Sequence, residues 1–301
     1  MSGGALGSEP NPEYDSVKSY AARIDRRWVV TGAGVVSLGA VAAVRLLAVL
    51  HNAPFDPLAV PTGAIPATTA AVSFLLALSL AAVALASARS PVRIGLLFAA
   101  TFGGLATLNQ AVTVPAAVAI TGGGAVALLG TLSVPETYLT FRRVALAAGF
   151  LAALTVALGS SVGLLDGGLR GLGGVLTLGV VIATGVRAES DRIALAAGGI
   201  AAAAVVGASL TSPFVLGSTL LVGFAIVGVP HALAALAVGA AVSVVVVGLR
   251  RGEWSLAAGA GLLVLAGVPV SVPRAMALLL GATLVVGDLE TLLGETGGEP
   301  G

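Results

Sequence analysis

The chain has 301 residues, of which 57% are hydrophobic and 10% are charged, and its formal net charge is +1. A soluble domain carries roughly 25% charged residues, so a chain this apolar cannot cover itself with polar surface and must use lipid as its solvent. The near-neutral charge gives no electrostatic footprint for nucleic acid. The lack of cysteine excludes disulfides, thiol catalysis and thiolate metal sites.

Eleven apolar segments fill most of the chain. They cover residues 28–50, 64–88, 94–108, 115–134, 144–165, 169–186, 193–210, 213–229, 232–249, 254–268 and 275–286. Most approach the length of a membrane helix, about 17–25 residues, and exceed that of a barrel strand, about 9–11 residues. The sequence therefore predicts an all-α polytopic transmembrane bundle of eleven apolar helices with ten or eleven crossings.

Polar residues are concentrated at the two ends of the chain. We expect a polar cytoplasmic tail at 1–27, a single transmembrane domain at 28–287 and an acidic polar tail at 288–301. A short surface helix is expected within 16–27. About 27 polar residues precede the first apolar segment, which is not the pattern of a secretory signal. The 42 glycines are expected to serve close helix packing, because small residues let membrane helices approach each other.

Arginine marks alternate turns between the early apolar segments. The turns at 89–93, 142–143 and 187–192 are basic, whereas those at 51–63 and 109–114 hold no Lys or Arg. Because Lys and Arg accumulate in cytoplasmic loops, this pattern predicts a cell-membrane protein with its N-terminus in the cytoplasm.

The stretch 191–251 decides how many crossings the chain makes. Three crossings would place Arg250 and Arg251 outside, and two would keep them inside. We favour the inside, because basic residues followed by Trp254 resemble the start of the first segment at Trp28. One of the three segments then does not cross, and 213–229 is the best candidate because it is short and flanked by prolines.

This stretch also supplies the candidate transport site, which consists of Pro213, Pro230 and His231. A helix from 213 to 249 would be about 55 Å long, so the chain must break near Pro230. Broken helices and ionisable side chains at membrane depth mark many transport sites. The alternative is a plain turn that leaves His231 at the membrane surface.

Catalytic signatures are weak. Gly159–Gly163 fits the spacing of a nucleophile elbow, with Ser161 as the nucleophile and His231 as a conceivable base, but the flanking strand and helix are missing. Gly32 and Gly34 lack the βαβ context of a dinucleotide fingerprint. No Walker A, HExxH or His/Cys metal spacing occurs. We therefore expect no enzyme, no cofactor and no metal.

Arg45, near the far end of the first segment, is the one ionisable residue clearly inside a span, where its long side chain can reach the interface.

Three functions stay open: a non-enzymatic accessory or scaffold subunit, a permease for a small neutral or weakly polar solute, and a membrane enzyme. The first is favoured. The expected partners are the lipid bilayer and, as an open alternative, other membrane subunits, with no nucleic acid.

Arginine outnumbers lysine 14 to 1, aromatic residues make up 4% of the chain, and the tails are acidic and polar. In amino-acid composition the chain resembles integral membrane proteins of haloarchaea. It is similar to the uncharacterised multi-spanning proteins encoded beside MoxR-type ATPases. The resemblance implies an accessory or assembly role at the membrane and carries over no functional residue.

Overall fold

The computed structural model describes residues 12–51, 61, 63–132, 141–188, 191–211, 231–287 and 292. These residues form ten α-helices and no strand, which confirms the all-α prediction. The helices are α1 Pro12–His51, α2 Ala64–Ala86, α3 Ser90–Leu108, α4 Thr113–Leu132, α5 Phe141–Ser161, α6 Arg170–Thr184, α7 Arg192–Thr211, α8 His231–Arg251, α9 Trp254–Ala266 and α10 Val272–Val286.

Eight described segments, which contain α1 to α8, are long and apolar enough to cross a membrane; in the sixth, the 3-10 turn Gly167–Leu169 extends α6 to a span of 18 residues. The other two, α9 and α10, have 13 and 15 residues and are shorter than the hydrocarbon thickness of about 30 Å requires. The predicted segment 213–229 lies outside the described residues. The surface helix expected within 16–27 is continuous with the first span in α1.

Close packing through glycine joins neighbouring helices, as α3 and α4 show. A Cβ added at Gly123 would collide with the backbone oxygen of Gly95 and lie 3.2 Å from the nitrogen of Ala99. The two backbones therefore touch directly, which only glycine permits.

We expect Gly123→Ala to lower the free energy of unfolding by about 1–3 kcal/mol, because the new methyl group overpacks two backbones that cannot move apart cheaply. Gly122→Ala is the matched control, since a Cβ there meets nothing within 4 Å. Thermal unfolding in detergent measures both. Equal midpoints in the two variants would contradict the packing.

The α7–α8 pair is antiparallel. Arg250 Nη1 donates to both carboxylate oxygens of Asp191 at 2.7 Å, and further along the pair Gly198 packs against Gly239. The end of α8 therefore lies beside the start of α7. As the sequence predicted, Arg250 and Arg251 return to the end of the bundle where Arg192 lies, and α8 begins at the end where α7 finishes.

Asp191 also begins α7. Its carboxylate accepts from the backbone N–H of Ala194 and of Ile193, and with Arg250 these contacts hold its pKa below the usual value of 3.8. A carboxyl group whose pKa is lower in the folded protein than in the unfolded chain stabilises the fold at pH values above its unfolded-state pKa. This stabilisation is lost as the pH falls through the folded-state pKa.

We therefore expect Asp191→Asn to lower the unfolding midpoint at neutral pH, and the gap from the unsubstituted chain to shrink below pH 3.8. Thermal unfolding across a pH series measures the gap. A gap that stayed constant to low pH would assign the effect to packing instead of charge.

The helices α9 and α10 form a hairpin at the centre of the bundle. Every residue from Ala275 to Val286 is buried, and the pair packs against α1, α2, α4, α5 and α8. Gly259 and Gly281 bring the two backbones together, because a Cβ on either would lie about 3 Å from the other's carbonyl oxygen. The shortest helices are therefore the most enclosed.

The tip of this hairpin stops inside the bundle. α9 runs parallel to α1, with Ala258 beside Gly34, Gly261 beside Leu38, and Leu265 bonded to Arg45. Beyond Arg45, α1 continues for six residues, or about 9 Å, to His51. Gly267, at φ 64°, ends α9 and starts the turn back to α10. The turn therefore lies about 9 Å short of the far end of α1.

Candidate anion-binding site

The transport site indicated by the sequence is only partly described. Pro213 and Pro230 lie outside the described residues. His231 is the first residue of α8 and is exposed. The site at Pro213, Pro230 and His231 therefore stays a prediction.

Ser161, the nucleophile of the enzyme alternative, is the last residue of α5. Its hydroxyl donates to the carbonyl oxygen of Leu158 at 2.9 Å, a common bond for a serine at a helix end. Gly163, at φ 81°, turns the chain away from the helix. In the part of the chain that the structure describes, no hydrogen bond links Ser161 to His231.

A cavity of about 290 Å³ lies at the tip of the hairpin. It opens between α1, α2 and the turn from α9 to α10. Its polar lining residues are Arg45, Thr69, Ser271 and Arg274. Its apolar lining residues are Val41, Val44, Ala48, Ile65, Val72, Leu76, Leu265, Ala266, Pro273 and Ala277. This is the place where ionisable side chains meet open space inside the bundle.

Arg45 closes the end of α9. Its Nε donates to the carbonyl oxygen of Leu265 at 3.1 Å, and its Nη2 donates to that of Ala266 at 3.2 Å. The last carbonyls of a helix have no partner within the helix, and a cation complements the negative end of its dipole. The guanidinium of Arg45 therefore supplies the hydrogen bonds that water would donate to these carbonyl oxygens at a protein surface.

Arg274 lies in the first turn of α10. Pro273 precedes it near the helix start, and the side chain of Ser271 at the N-cap makes no capping hydrogen bond. The Nη1 atom of Arg274 is buried without a hydrogen-bond partner among the described residues. A buried guanidinium nitrogen without a partner is costly, and an anion would remove this cost.

The charge of the cavity is positive. Arg45 and Arg274 line the same cavity, and each guanidinium carries a positive charge. Among the described residues, the ion pair is Arg250 with Asp191, and neither cavity arginine has an acidic partner. The N-terminus of α10 adds the positive end of its dipole. Like charges in a low-dielectric setting destabilise each other unless a negative charge lies between them.

A second cavity of about 430 Å³ adjoins the first and shares Ile65, Thr69 and Pro273 with it. Hydroxyl groups of Thr69, Ser73 and Thr107 line it. Each hydroxyl donates to a carbonyl oxygen of its own helix, at 2.6–2.7 Å. This cavity lies between α2, α3 and the start of α10, and its lining combines these three hydroxyl residues with six apolar ones.

Sequence reasoning found Arg45 and missed Arg274. It placed Arg274 in a gap between the segments 254–268 and 275–286, whereas α10 begins at Val272. The missed signal was local: Ser271 followed by Pro273 is the pattern of an N-cap and a first helical turn. Among the described residues, no group of three or more His, Cys, Asp or Glu could hold a metal ion.

Comparison with known proteins identifies the family. A family model described as an integral membrane family of unknown function, DUF8068, matches residues 30–286, which include α1 from Val30 onward and all of α2 to α10. A search of the curated proteins and a search of the solved structures each found no match. The chain therefore belongs to this integral membrane family.

Proposed function

We propose that this multi-pass membrane protein is a non-enzymatic permease that binds a small anion between Arg45 and Arg274. The buried, unpartnered Nη1 of Arg274 beside a second arginine carries the proposal. Intramembrane ionisable groups without a structural partner mark ligand pathways in membrane proteins. The solute is thus an anion, where sequence reasoning favoured a neutral or weakly polar one.

The hairpin supports passage as well as binding. Non-helical backbone at membrane depth is tolerated where protein or a water-filled cavity satisfies its polar groups, and the turn from Gly267 to Ser271 lies beside such a cavity. Short helices with a positive N-terminus at depth are used to hold anionic groups during transport. α10, which begins with Ser271 as its N-cap, supplies that arrangement.

Isothermal titration of the purified protein with sodium salts of chloride, sulfate, phosphate and short carboxylates tests binding. Uptake of the bound anion into proteoliposomes tests transport. Binding and uptake that both disappear in Arg274→Gln support the proposal. Absence of binding to every anion would overturn it, and binding without uptake would reduce the protein to a receptor.

We also propose that the protein lies in the cell membrane with its N-terminus in the cytoplasm. The basic turns at 89–93, 142–143 and 187–192 support this orientation, since Lys and Arg favour the cytoplasmic side. Single cysteines at Gly252 and His231 test it in a background without other cysteines. Gly252→Cys should react from the cytoplasm and His231→Cys from outside. Labelling of both from one side would contradict a crossing by α8, and labelling with the sides exchanged would overturn the orientation.

A second candidate function, an accessory or scaffold subunit, is favoured by a shallow groove between α1 and α2. The groove is lined by Val29, Gly32, Ala33, Val36, Leu78, Ser79 and Ala82, and a Cβ at Gly32 meets nothing within 4 Å. A membrane helix of a partner subunit could approach closely there. From the amino-acid composition we also propose that the protein is haloarchaeal and that it has an assembly role beside a MoxR-type ATPase.

Oxidative cross-linking of Gly32→Cys in membranes tests the groove, with Gly122→Cys on open space at α4 as the control. A cross-linked product specific to Gly32→Cys, with its second chain identified by mass spectrometry, supports a subunit contact. Equal cross-linking at both positions would remove this candidate.

A further inference from the structure

We infer that the anion is amphiphilic, with one acidic head group and a compact apolar body. The inference rests on the proposed anion site and specifies its ligand. The head group lies between Arg45 and Arg274, and the body lies against the apolar walls of the same cavity. Carboxylates and phosphate esters with a short hydrocarbon part belong to this class.

The volume of the cavity exceeds what a bare ion needs. At about 290 Å³, the cavity is many times larger than the roughly 10–15 Å³ that a single water needs. A chloride or sulfate ion would leave much of this space as water against hydrocarbon. A ligand with its own hydrocarbon part would instead displace that water, which is favourable in proportion to the apolar area covered.

The lining combines a few polar residues with a larger apolar surface. The polar residues are Arg45, Ser271 and Arg274 at the hairpin tip and Thr69 on α2. Ten apolar residues complete the lining, among them Val41 of α1 and Val72 and Leu76 of α2. Two cations in a mainly apolar lining match a ligand with one charged group and a hydrocarbon part.

The arginines can hold a planar or tetrahedral acid group. Arg45 uses Nε and Nη2 for the carbonyls of α9, which leaves its Nη1 without a role in that cap. Arg274 contributes a buried Nη1 without a partner in the described structure. One Nη1 from each arginine can donate to a different oxygen of the same carboxylate or phosphate, which a spherical halide cannot exploit.

The depth of the site allows two sources for the ligand. Arg45 lies about 26 Å along α1 from the exposed Trp28, close to the far boundary of a hydrocarbon core of about 30 Å. A soluble organic acid can reach this level through the second cavity, and an anionic lipid can reach it from the surrounding leaflet. The acid head with an apolar body is common to both.

A chain-length series tests the inference: acetate, butanoate, hexanoate and octanoate are titrated into the full-length protein, with chloride, sulfate and phosphate alongside. Affinity should rise about fourfold for each methylene until the cavity is full. A flat series, or inorganic anions that bind as tightly as hexanoate, would overturn the inference while leaving the anion site intact. Failure of every anion would instead overturn the proposed function.

Two variants locate the apolar body. Val72→Phe fills the cavity wall and should lower hexanoate affinity at least tenfold while changing acetate affinity less than twofold. Leu78→Phe is the control, because Leu78 on the same helix is 53% exposed and lies outside this cavity. Equal effects of Val72→Phe on acetate and hexanoate would overturn the inference.

The source is decided in nanodiscs of neutral phosphatidylcholine with and without phosphatidylglycerol. Hexanoate binding that is weaker in the anionic discs supports a lipid head group as the ligand, because the lipid then competes for the site. The Arg274→Gln variant should show no such difference between the two kinds of disc. Hexanoate binding that is unchanged by phosphatidylglycerol supports a soluble organic acid.

Discussion

Arg274→Gln is expected to weaken anion binding by about 10- to 100-fold, which is the worth of a charge-assisted hydrogen bond of roughly 1.5–3 kcal/mol. Glutamine keeps a polar but shorter side chain and removes the positive charge and the fork. Arg93→Gln is the matched control, because Arg93 is exposed at the start of α3. Titration calorimetry of the folded variants measures both.

The same substitution should raise the stability of the anion-free protein. Removing one of two positive charges that repel each other relieves both the repulsion and the burial of an unpartnered nitrogen. Thermal unfolding without added anion should therefore show a higher midpoint for Arg274→Gln, and saturating anion should stabilise only the unsubstituted chain. A lower midpoint in Arg274→Gln would assign Arg274 a structural role and contradict the site.

Arg45→Leu is expected to lower the stability of the protein, and this is the second large effect. It leaves the carbonyl oxygens of Leu265 and Ala266 without partners at membrane depth, at a cost of about 1–3 kcal/mol for each. We expect the free energy of unfolding to fall by about 2–4 kcal/mol, less than the full sum because leucine adds apolar contact. Arg45→Lys should recover part of the loss, since lysine keeps the charge without the fork.

Leu46→Ala is the control for that experiment, because Leu46 is the neighbouring residue and is 59% exposed. Unfolding in mixed micelles with rising sodium dodecyl sulfate measures all three variants. An Arg45→Leu variant as stable as Leu46→Ala would show that Arg45 does not hold the end of α9.

Hydropathy predicted the spanning helices well, because the bilayer imposes one length and one polarity on each of them. The segment predicted at 64–88 is α2 at Ala64–Ala86, and the turn predicted at Asn109 separates α3 from α4. Of the two alternatives for Arg250, the sequence favoured the return to the end where Asp191 lies, because basic residues followed by Trp254 resemble the start of the first segment.

The same criterion could not separate a lipid-facing helix from a buried one. α10 and α7 are both apolar apart from one arginine in the first turn and a few hydroxyl residues, yet α10 is enclosed by the bundle whereas much of α7 is exposed. In lipid the outside of a bundle is as apolar as its inside, so hydropathy carries no information about which face is covered. The central position of the α9–α10 hairpin was therefore not predictable from its composition.

The sequence by itself determined that this protein is an all-helical membrane protein, where most of its spans lie and which turns are basic. The tertiary structure alone decided that Arg45 and Arg274, 229 positions apart in the chain, line one cavity. The physical reason is that lipid selects for apolar segments one at a time, whereas a site between helices depends on which glycines allow which backbones to touch. Gly259 and Gly281 close the hairpin, and the hairpin brings Arg274 to Arg45.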